Sequence, residues 1–218
     1  MIDLHTHSLL SDGELLPSEL VRRAKVISYE AIAIADHADY TNLEKLVDAL
    51  KKARVLEESY GIVVIPGVEL THLPPEHIAP LAKRAKELGA EIVVVHGETP
   101  AEPVAPGTNR AAVVCRDVDV LAHPGFITLE EAKLAAANGV LLEITSRGGH
   151  NMTNGHVART AREAGAQMVV DTDSHAPGDL ITAARAMAVA RGAGLSEEEA
   201  AATRENAVRK LKAIIGRR

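Results

Sequence analysis

Residues 2–7 read Ile-Asp-Leu-His-Thr-His, a short apolar run that ends in two histidines. The same form, an apolar run followed by a histidine or a carboxylate, occurs six more times along the chain. The further runs and the residues that end them are 31–35 with Asp36 and His37, 63–65 through Pro66-Gly67-Val68 to Glu69, 92–95 with His96, 118–122 with His123, 140–142 with Glu143, and 168–170 with Asp171, Asp173 and His175. Short apolar runs of this kind predict seven parallel strands.

Segments with helical periodicity lie between these runs. They fall near 17–28, 43–50, 78–88, 155–164 and 179–191, and Thr128 with Glu131 and Ser196 with Glu199 form capping boxes that open two more helices. Alternation of strands and helices predicts an α/β fold with a parallel sheet. Polar residues at the end of every strand favour a closed or nearly closed barrel of the TIM type, since an open doubly wound sheet concentrates them at one switch point.

The composition is that of an ordinary globular protein. The chain has 218 residues, 46% of them hydrophobic and only 2% aromatic, which suits one domain spanning residues 1–218. A net charge of −6 gives no general attraction to nucleic acid or to an anionic membrane. The single cysteine, Cys115, excludes an internal disulfide, and we expect it to pack as a small hydrophobe. No signal peptide or membrane-spanning stretch is evident, so we expect a cytoplasmic protein.

The strand ends predict a metal cluster. A parallel barrel gathers the C-terminal ends of its strands on one face, which would bring six histidines and several carboxylates together. His5 and His7 alternate along a strand and can therefore bind one ion. Burying so many imidazoles without partners would cost a few kcal/mol each, and metal ions supply the missing partners. The proline-containing segment 97–107 follows His96 directly, and it either shapes or covers the site or is a plain surface connection.

The ordered set of motifs resembles a known family, the PHP (polymerase and histidinol phosphatase) superfamily. The resemblance extends from residue 2 to about residue 178 and includes every motif in order. The motifs are His5-Thr6-His7, Ser11-Asp12-Gly13, Ala35-Asp36-His37, Gly67-Val68-Glu69, Val95-His96-Gly97, Ala122-His123-Pro124-Gly125 and Asp173-Ser174-His175. The resemblance implies a distorted seven-stranded barrel that holds, typically, three divalent ions.

The resemblance also implies how the ligands are shared. One ion would be held by His5, His7, Glu69 and Asp173, a second by Glu69 as a bridge with His96 and His123, and a third by Asp12, His37 and His175. Some relatives have histidine where this chain has Asp12, and the harder oxygen donor would favour manganese-like ions there. Zinc, manganese and iron all remain candidates. Three acids lie next to ligands in the sequence: Asp3, Asp36 and Asp171. They either orient the imidazoles, or cap helices or bond backbone at strand ends.

Such a centre predicts hydrolysis of phosphate esters. Bound ions lower the pKa of water and neutralise charge on a phosphoryl group, so no side-chain nucleophile is needed. The chain has neither a Gly-x-Ser-x-Gly elbow nor a P-loop. Besides Glu69, the catalytic candidates are Arg147, as a phosphate clamp or a plain ion pair, and His150, as a proton donor, a substrate contact or a loop residue. Asn109 and Arg110 are weaker substrate candidates. Three histidines receive no chemical role: His72, His77 and His156.

Three functions follow from this interpretation. The first is a phosphatase for a small phosphorylated substrate, with histidinol phosphate as the example that the resemblance suggests first. The second is a phosphodiesterase or 3'-5' exonuclease-type nuclease, against which the acidic charge and the scarcity of stacking aromatics argue. The third is a metal-binding module without turnover. The sequence does not distinguish oligomeric states.

Overall fold

The computed structural model describes all 218 residues and contains one sheet of eight parallel strands. In chain order the strands are β1 Ile2–Thr6, β2 Ala31–Ile34, β3 His37–Ala38, β4 Val63–Leu70, β5 Ile92–His96, β6 Val120–Ala122, β7 Leu141–Thr145 and β8 Met168–Asp171. Each of the seven predicted runs forms a strand. The unpredicted one, β3, is a two-residue continuation after β2 that pairs with the second half of β4.

The strands follow the order β1-β2-β4-β5-β6-β7-β8, and the sheet is nearly closed into a barrel. Between β8 and β1 the contact lies beyond the end of β8, where His7 N donates to Ser174 O at 2.8 Å and Asp173 N donates to His5 O at 2.9 Å. Between the strands themselves, the side chain of Asp171 at the end of β8 accepts a hydrogen bond from Leu4 N of β1 at 2.8 Å. The predicted TIM-like α/β fold is therefore confirmed.

Nine α-helices surround or cap the sheet. They are α1 Pro17–Val26, α2 Leu43–Lys52, α3 Leu56–Tyr60, α4 Pro75–Leu88, α5 Thr108–Val114, α6 Leu129–Asn138, α7 Asn154–Ala164, α8 Ala183–Gly192 and α9 Glu197–Ile215. Both predicted capping boxes are present, at the starts of α6 and α9. The short helices α3 and α5 are not among the predicted elements. Helix α8 begins later than predicted, because Asp179 lies in a separate 3-10 turn and Thr182 caps the helix.

The protein has two apolar cores, one outside the barrel and one inside it. The larger core fills the space between the strands and the outer helices. The smaller core lies inside the barrel, where residues such as Ala33, Val94 and Ala122 meet Ala207 and Leu211 of α9. Small and β-branched side chains suit this narrow interior, which explains how a chain with so few aromatics packs.

Helix α9 closes the end of the barrel at which the strands begin. Asn206 Nδ2 donates to Met168 O at the start of β8 at 2.7 Å, and Lys210 pairs with Asp119 just before β6 at 3.1 Å. At the end of the chain, Arg218 pairs with Glu91, which precedes β5, at 2.7 Å. The opposite end, where the strands finish, is therefore the end available for a functional site. No helix combines the length and the apolar character that crossing a bilayer requires.

Candidate metal centre

The predicted ligand residues form one continuous cluster at the C-terminal ends of the strands. Ring centroids of successive histidines lie 4.1 Å apart for His7 and His175, 4.4 Å for His7 and His37, and 4.9 Å for His5 and His7. The cluster continues across the barrel through His123, whose ring lies 5.9 Å from that of His5. Residues far apart in sequence therefore meet around a common centre.

The middle of the cluster contains His5, His7, Glu69 and Asp173. Asp173 Oδ1 lies 3.2 Å from His7 Nε2 and 3.8 Å from His5 Nε2. Glu69 Oε1 lies 3.4 Å from His5 Nε2, and its Oε2 lies 3.6 Å from His7 Nε2. The pairing of β1 with β2 has a register shift between Asp3 and Thr6, and this irregularity changes the direction of the side chains in the part of β1 that carries His5. All four side chains are almost completely buried.

A second group lies at the rim. Asp12 Oδ1 is 3.4 Å from His37 Nε2 and 3.3 Å from His175 Nε2, and 4.0 Å from His7 Nδ1. His37 is the register partner of Glu69 in the pairing of β3 with β4, which brings His37 Nδ1 to 2.7 Å from Glu69 Oε2. The short unpredicted strand thus connects the rim group to the central carboxylate.

A third group consists of His96, His123 and His150, whose donor atoms lie within 4.8 Å of one another. His123 Nε2 is 3.7 Å from Glu69 Oε1 and 3.6 Å from Asp173 Oδ2, so this group also adjoins the central carboxylates. His123 and Asp173 have positive φ angles of 26° and 49°. Such backbone conformations are uncommon for residues other than glycine and concentrate at functional sites.

The outer hydrogen bonds of two histidines leave positions in the centre that a proton or a metal ion could occupy. His96 Nδ1 and His175 Nδ1 lie 3.2 and 2.9 Å from the carbonyl oxygens of Gly97 and Asp173, so each Nδ1 carries the hydrogen. In a neutral ring, Nε2 then presents a lone pair to the interior, and that of His175 faces Asp12 Oδ1. A lone pair that faces a carboxylate is repulsive unless a proton or a metal ion lies between them.

The donor spacing fits metal ions as well. Most imidazole–carboxylate distances in the centre are 3.2 to 3.8 Å, longer than good hydrogen bonds. Two ligand atoms each about 2.1 Å from a tetrahedral ion lie about 3.4 Å apart. Three buried atoms of the centre that could bind a metal ion have no hydrogen-bond partner in the protein: His7 Nδ1, His123 Nδ1 and Glu69 Oε1. The residues present therefore fit a cluster of divalent ions.

The buried carboxylates of the centre also require positive charge nearby. Burial alone would raise the pKa of Glu69, but His5, His37 and His96 hold it well below its ordinary value. Burial opposes protonation of His37, yet Glu69 and Asp12 raise the pKa of His37 to about 10. The buried carboxylate thus requires positive charge on its neighbours, which either protons or metal ions supply.

Glu143, which has no predicted role, orients His5. Its Oε2 lies 2.7 Å from His5 Nδ1, and both side chains are fully buried. The acids considered for such a role, Asp3, Asp36 and Asp171, contact no imidazole ring. They accept hydrogen bonds from backbone amides and hydroxyl groups of Leu4, His5, Ser8, Ser11, Tyr29 and Thr172. Of the two interpretations, the structure shows the one in which they bond backbone near the strand ends.

Arg147 lies at the edge of the cluster. Its Nη1 pairs with Asp179 Oδ2 at 3.1 Å, and its Nε lies 3.9 Å from Asp173 Oδ2. The two weaker substrate candidates have structural contacts instead. Asn109 is buried and bonds Glu98 N and Pro124 O, and Arg110 pairs with Glu130 on the surface.

Besides Glu143, two residues at the site are absent from the sequence-based candidates. Glu102, near the middle of segment 97–107, lies 3.2 Å from His96 Nε2 and 3.0 Å from His72 Nε2. His72, to which the sequence assigns no chemistry, is the second. An acid within a proline-containing segment that follows a predicted ligand is the available signal for Glu102.

Gly125 keeps the loop after β6 in contact with segment 97–107, which gives a testable prediction. A Cβ at this position would lie 1.9 Å from Glu98 O, and the φ of Gly125 is +60°. We expect Gly125→Ala to lower the free energy of unfolding by about 3 kcal/mol, from overpacking plus backbone strain. Denaturant titration measures the change.

Gly139→Ala is the matched control. Gly139 has a φ of +72° with nothing within 4 Å of its added Cβ, so it isolates the backbone strain. We expect a cost of about 1 kcal/mol there. Equal effects of the two substitutions would contradict the close approach at Gly125.

Comparison with known proteins identifies relatives over most of the chain. The model of the PHP domain family matches residues 3–147. An uncharacterized protein of Methanocaldococcus jannaschii is 54% identical over 199 residues, covering 90% of this chain and 91% of the relative. Ribonuclease P protein component 3 of Methanosarcina mazei is 31% identical over 204 residues, covering 87% and 79%.

Solved structures show the same fold. A chain in archaeal ribonuclease P with mature tRNA superimposes with a TM-score of 0.74 and 16% identity, covering 97% of this chain and 90% of the other. Histidinol phosphate phosphatase from Lactococcus lactis, complexed with zinc, L-histidinol and phosphate, gives a TM-score of 0.61 and 16% identity, covering 89% and 94%. At these identities the likeness concerns the fold.

Proposed function

Because this chain belongs to the PHP domain family, we propose that it is a metal-dependent phosphoesterase that hydrolyses small phosphomonoesters at the C-terminal face of its barrel. The observation that supports this most strongly is the buried donor set, in which imidazole nitrogens face carboxylate oxygens at the spacing of shared metal ligands. Burying these polar groups is costly unless they are paired or bind ions, and clusters of buried titratable groups with strongly shifted pKa values concentrate at functional sites.

We assign the donors to three ions as follows. Glu69 lies between the groups and would serve as the bridging ligand, since its two oxygens face different histidines. The three sets are His5, His7, Glu69 and Asp173; Glu69, His96 and His123; and Asp12, His37 and His175. Glu143 fixes the ring of His5 from outside. Zinc, manganese and iron all suit these nitrogen and oxygen donors.

When bound, the ions supply an activated water and neutralise charge on the phosphoryl oxygens. The side chains around them bind and orient the ester. Arg147 offers a guanidinium at the edge of the centre, where it binds the phosphate after exchanging part of its pairing with Asp179. His150, held by Thr99 at its Nδ1, would donate a proton to the leaving group or contact the substrate through Nε2.

The proposed substrate is a small monoester. The chain is acidic overall, and Arg147 is the one arginine within 4 Å of a central carboxylate. A single cation beside a metal centre suits one terminal phosphate better than a polyanionic backbone. Nothing in the site selects the organic part of the substrate, so histidinol phosphate stands as one example among phosphomonoesters.

The decisive experiment compares three substrates on one preparation whose metal content is measured. The metal-loaded protein should hydrolyse p-nitrophenyl phosphate faster than its bis-ester and faster than a short oligonucleotide. Preference for the bis-ester or the oligonucleotide would replace the proposal by a nuclease. Absence of hydrolysis with manganese, zinc and iron would leave a metal-binding module without turnover.

Arg147→Ala tests the phosphate clamp. We expect KM for p-nitrophenyl phosphate to rise by about 10- to 100-fold, the value of a charge-assisted contact, while kcat changes little and the metals stay bound. Arg110→Ala is the control, because Arg110 is exposed and pairs only with Glu130. A KM that is the same in both variants removes Arg147 from the substrate site.

Action on RNA is the second candidate function. The relative from Methanosarcina mazei is a ribonuclease P protein component, and two aromatic side chains are exposed on loops at the metal face. Phe126 follows His123 and is 69% exposed, and Tyr40 follows His37 and is 60% exposed. Exposed aromatic rings stack on bases, so the oligonucleotide measured above should include single-stranded RNA.

A further inference from the structure

Segment 97–107, called the strap below, is fixed at its base. Glu98 Oε1 accepts hydrogen bonds from Gly107 N at 3.0 Å and Asn109 N at 2.9 Å, which ties the two ends of the strap together. Thr99 Oγ1 lies 2.9 Å from His150 Nδ1 and joins the strap to the loop after β7. Between these anchors, Pro100, Pro103 and Pro106 restrict the backbone φ angle at three positions of the strap.

Glu102 extends from the strap into a group of three histidines. Its Oε2 lies 3.2 Å from His96 Nε2 and 3.0 Å from His72 Nε2, and its Oε1 lies 3.4 Å from His150 Nε2. The Glu102 side chain is 40% exposed, so no apolar packing forces it into this position. A solvent-accessible carboxylate that converges on three imidazoles has the arrangement of a ligand.

The tautomer of His96 defines what lies between these groups. Its Nδ1 donates to the carbonyl of Gly97 at 3.2 Å, so a neutral ring turns the lone pair of Nε2 towards Glu102. His123 adjoins His96, with its ring centroid 4.5 Å from that of His96. A cation between His96 Nε2 and Glu102 Oε2 would satisfy both atoms.

His72 supports Glu102 from outside. Its backbone has a φ of +52°, which is uncommon for a residue other than glycine, and its ring lies 5.0 Å from that of His96. Strained backbone persists where the surroundings hold it, and it concentrates at functional sites. In this conformation the exposed imidazole of His72 lies within hydrogen-bond distance of Glu102 Oε2.

We propose that Glu102 is a further metal ligand, carried by the strap to the ion assigned to His96 and His123, with His72 positioning its carboxylate. The inference rests on the metal centre of the proposed function and adds a solvent-exposed ligand to it. Metal binding then adds a contact that holds the middle of the strap against the site.

Glu102→Gln tests the ligand, with Glu130→Gln as a control for the same change of charge on an exposed side chain. Metal content is measured after dialysis at limiting metal, and amide hydrogen exchange of residues 99–104 is measured with and without metal. In the wild type and the control, metal should slow exchange of the strap. In Glu102→Gln this effect should vanish and affinity for one ion should fall at least about 10-fold.

His72→Ala is the second variant, and it should shift both readouts in the same direction by a smaller factor. Wild-type metal content together with metal-dependent protection in Glu102→Gln would overturn the inference, as would strap exchange that is insensitive to metal in the wild type. Neither readout requires turnover. A protein that passes these tests without hydrolysing any phosphoester contradicts the proposed function and leaves the strap ligand standing.

Discussion

Glu69→Gln is expected to remove bound metal and phosphoester hydrolysis together. Glu69 is fully buried, and its two oxygens lie within 3.7 Å of four histidines: His5, His7, His37 and His123. Glutamine keeps the size but replaces one anionic oxygen by an NH₂ group, which cannot bind a cation and would point a donor at imidazole nitrogens. We expect kcat/KM to fall at least about 1000-fold, because the proposed bridge between two ions is lost.

Metal analysis and kinetics on the same sample check this result. Glu143→Gln is the matched control, since Glu143 is also buried but contacts the centre only through the outer nitrogen of His5. Loss of such an outer partner typically costs about 10- to 100-fold in metal affinity or activity, so the control should retain measurable turnover. Full metal content and turnover in Glu69→Gln would disprove the bridging assignment.

The sequence predicts the strand ends well because each depends on a local pattern. An apolar run followed by His96 or His123 fixes the strand and the place of the imidazole at once, and the parallel barrel brings such ends together. The sequence alone therefore places residues scattered from His5 to His175 on one face of the fold. The sequence does not predict the short strand β3, because two residues are too few to show a hydrophobic periodicity.

Orienting partners are harder to predict because sequence proximity misleads in a strand. Asp36 precedes His37 directly, but successive side chains point to opposite faces, and Asp36 bonds Ser8 instead of the imidazole ring. The partner of His5 is Glu143, which is 138 positions away and arrives from β7. Such a pair forms only because the nearly closed barrel brings β1 and β7 together in space.

The positions of Glu102 and His72 are set by contacts between loops instead of by strand pairing. The path of the strap is set by the anchor between Glu98 and Asn109 and by the close backbone approach at Gly125. None of these contacts leaves a periodic signal in the sequence. Loop residues at a functional face are therefore where sequence patterns stop being informative and tertiary contacts decide.

Removal of metal is expected to lower the melting temperature by at least about 5 °C. An ion that binds only the folded state stabilises it by about 2.7 kcal/mol when its free concentration is 100 times its dissociation constant. For a chain of this size, each kcal/mol shifts Tm by about 2 to 4 °C. Without cations, buried atoms such as His7 Nδ1 and His123 Nδ1 lack partners, which adds to the loss.

Calorimetry of the loaded protein, the chelated protein and the chelated protein after metal is returned measures this stabilisation. Return of metal should restore Tm, because removal leaves the barrel core intact. Glu69→Gln provides the control: a chain that no longer holds the ions should melt near the chelated wild type and respond little to chelator. An unchanged Tm on chelation of the wild type would mean that protons, and not metal ions, balance the buried carboxylates. The assignment of the histidines as metal ligands would then be wrong.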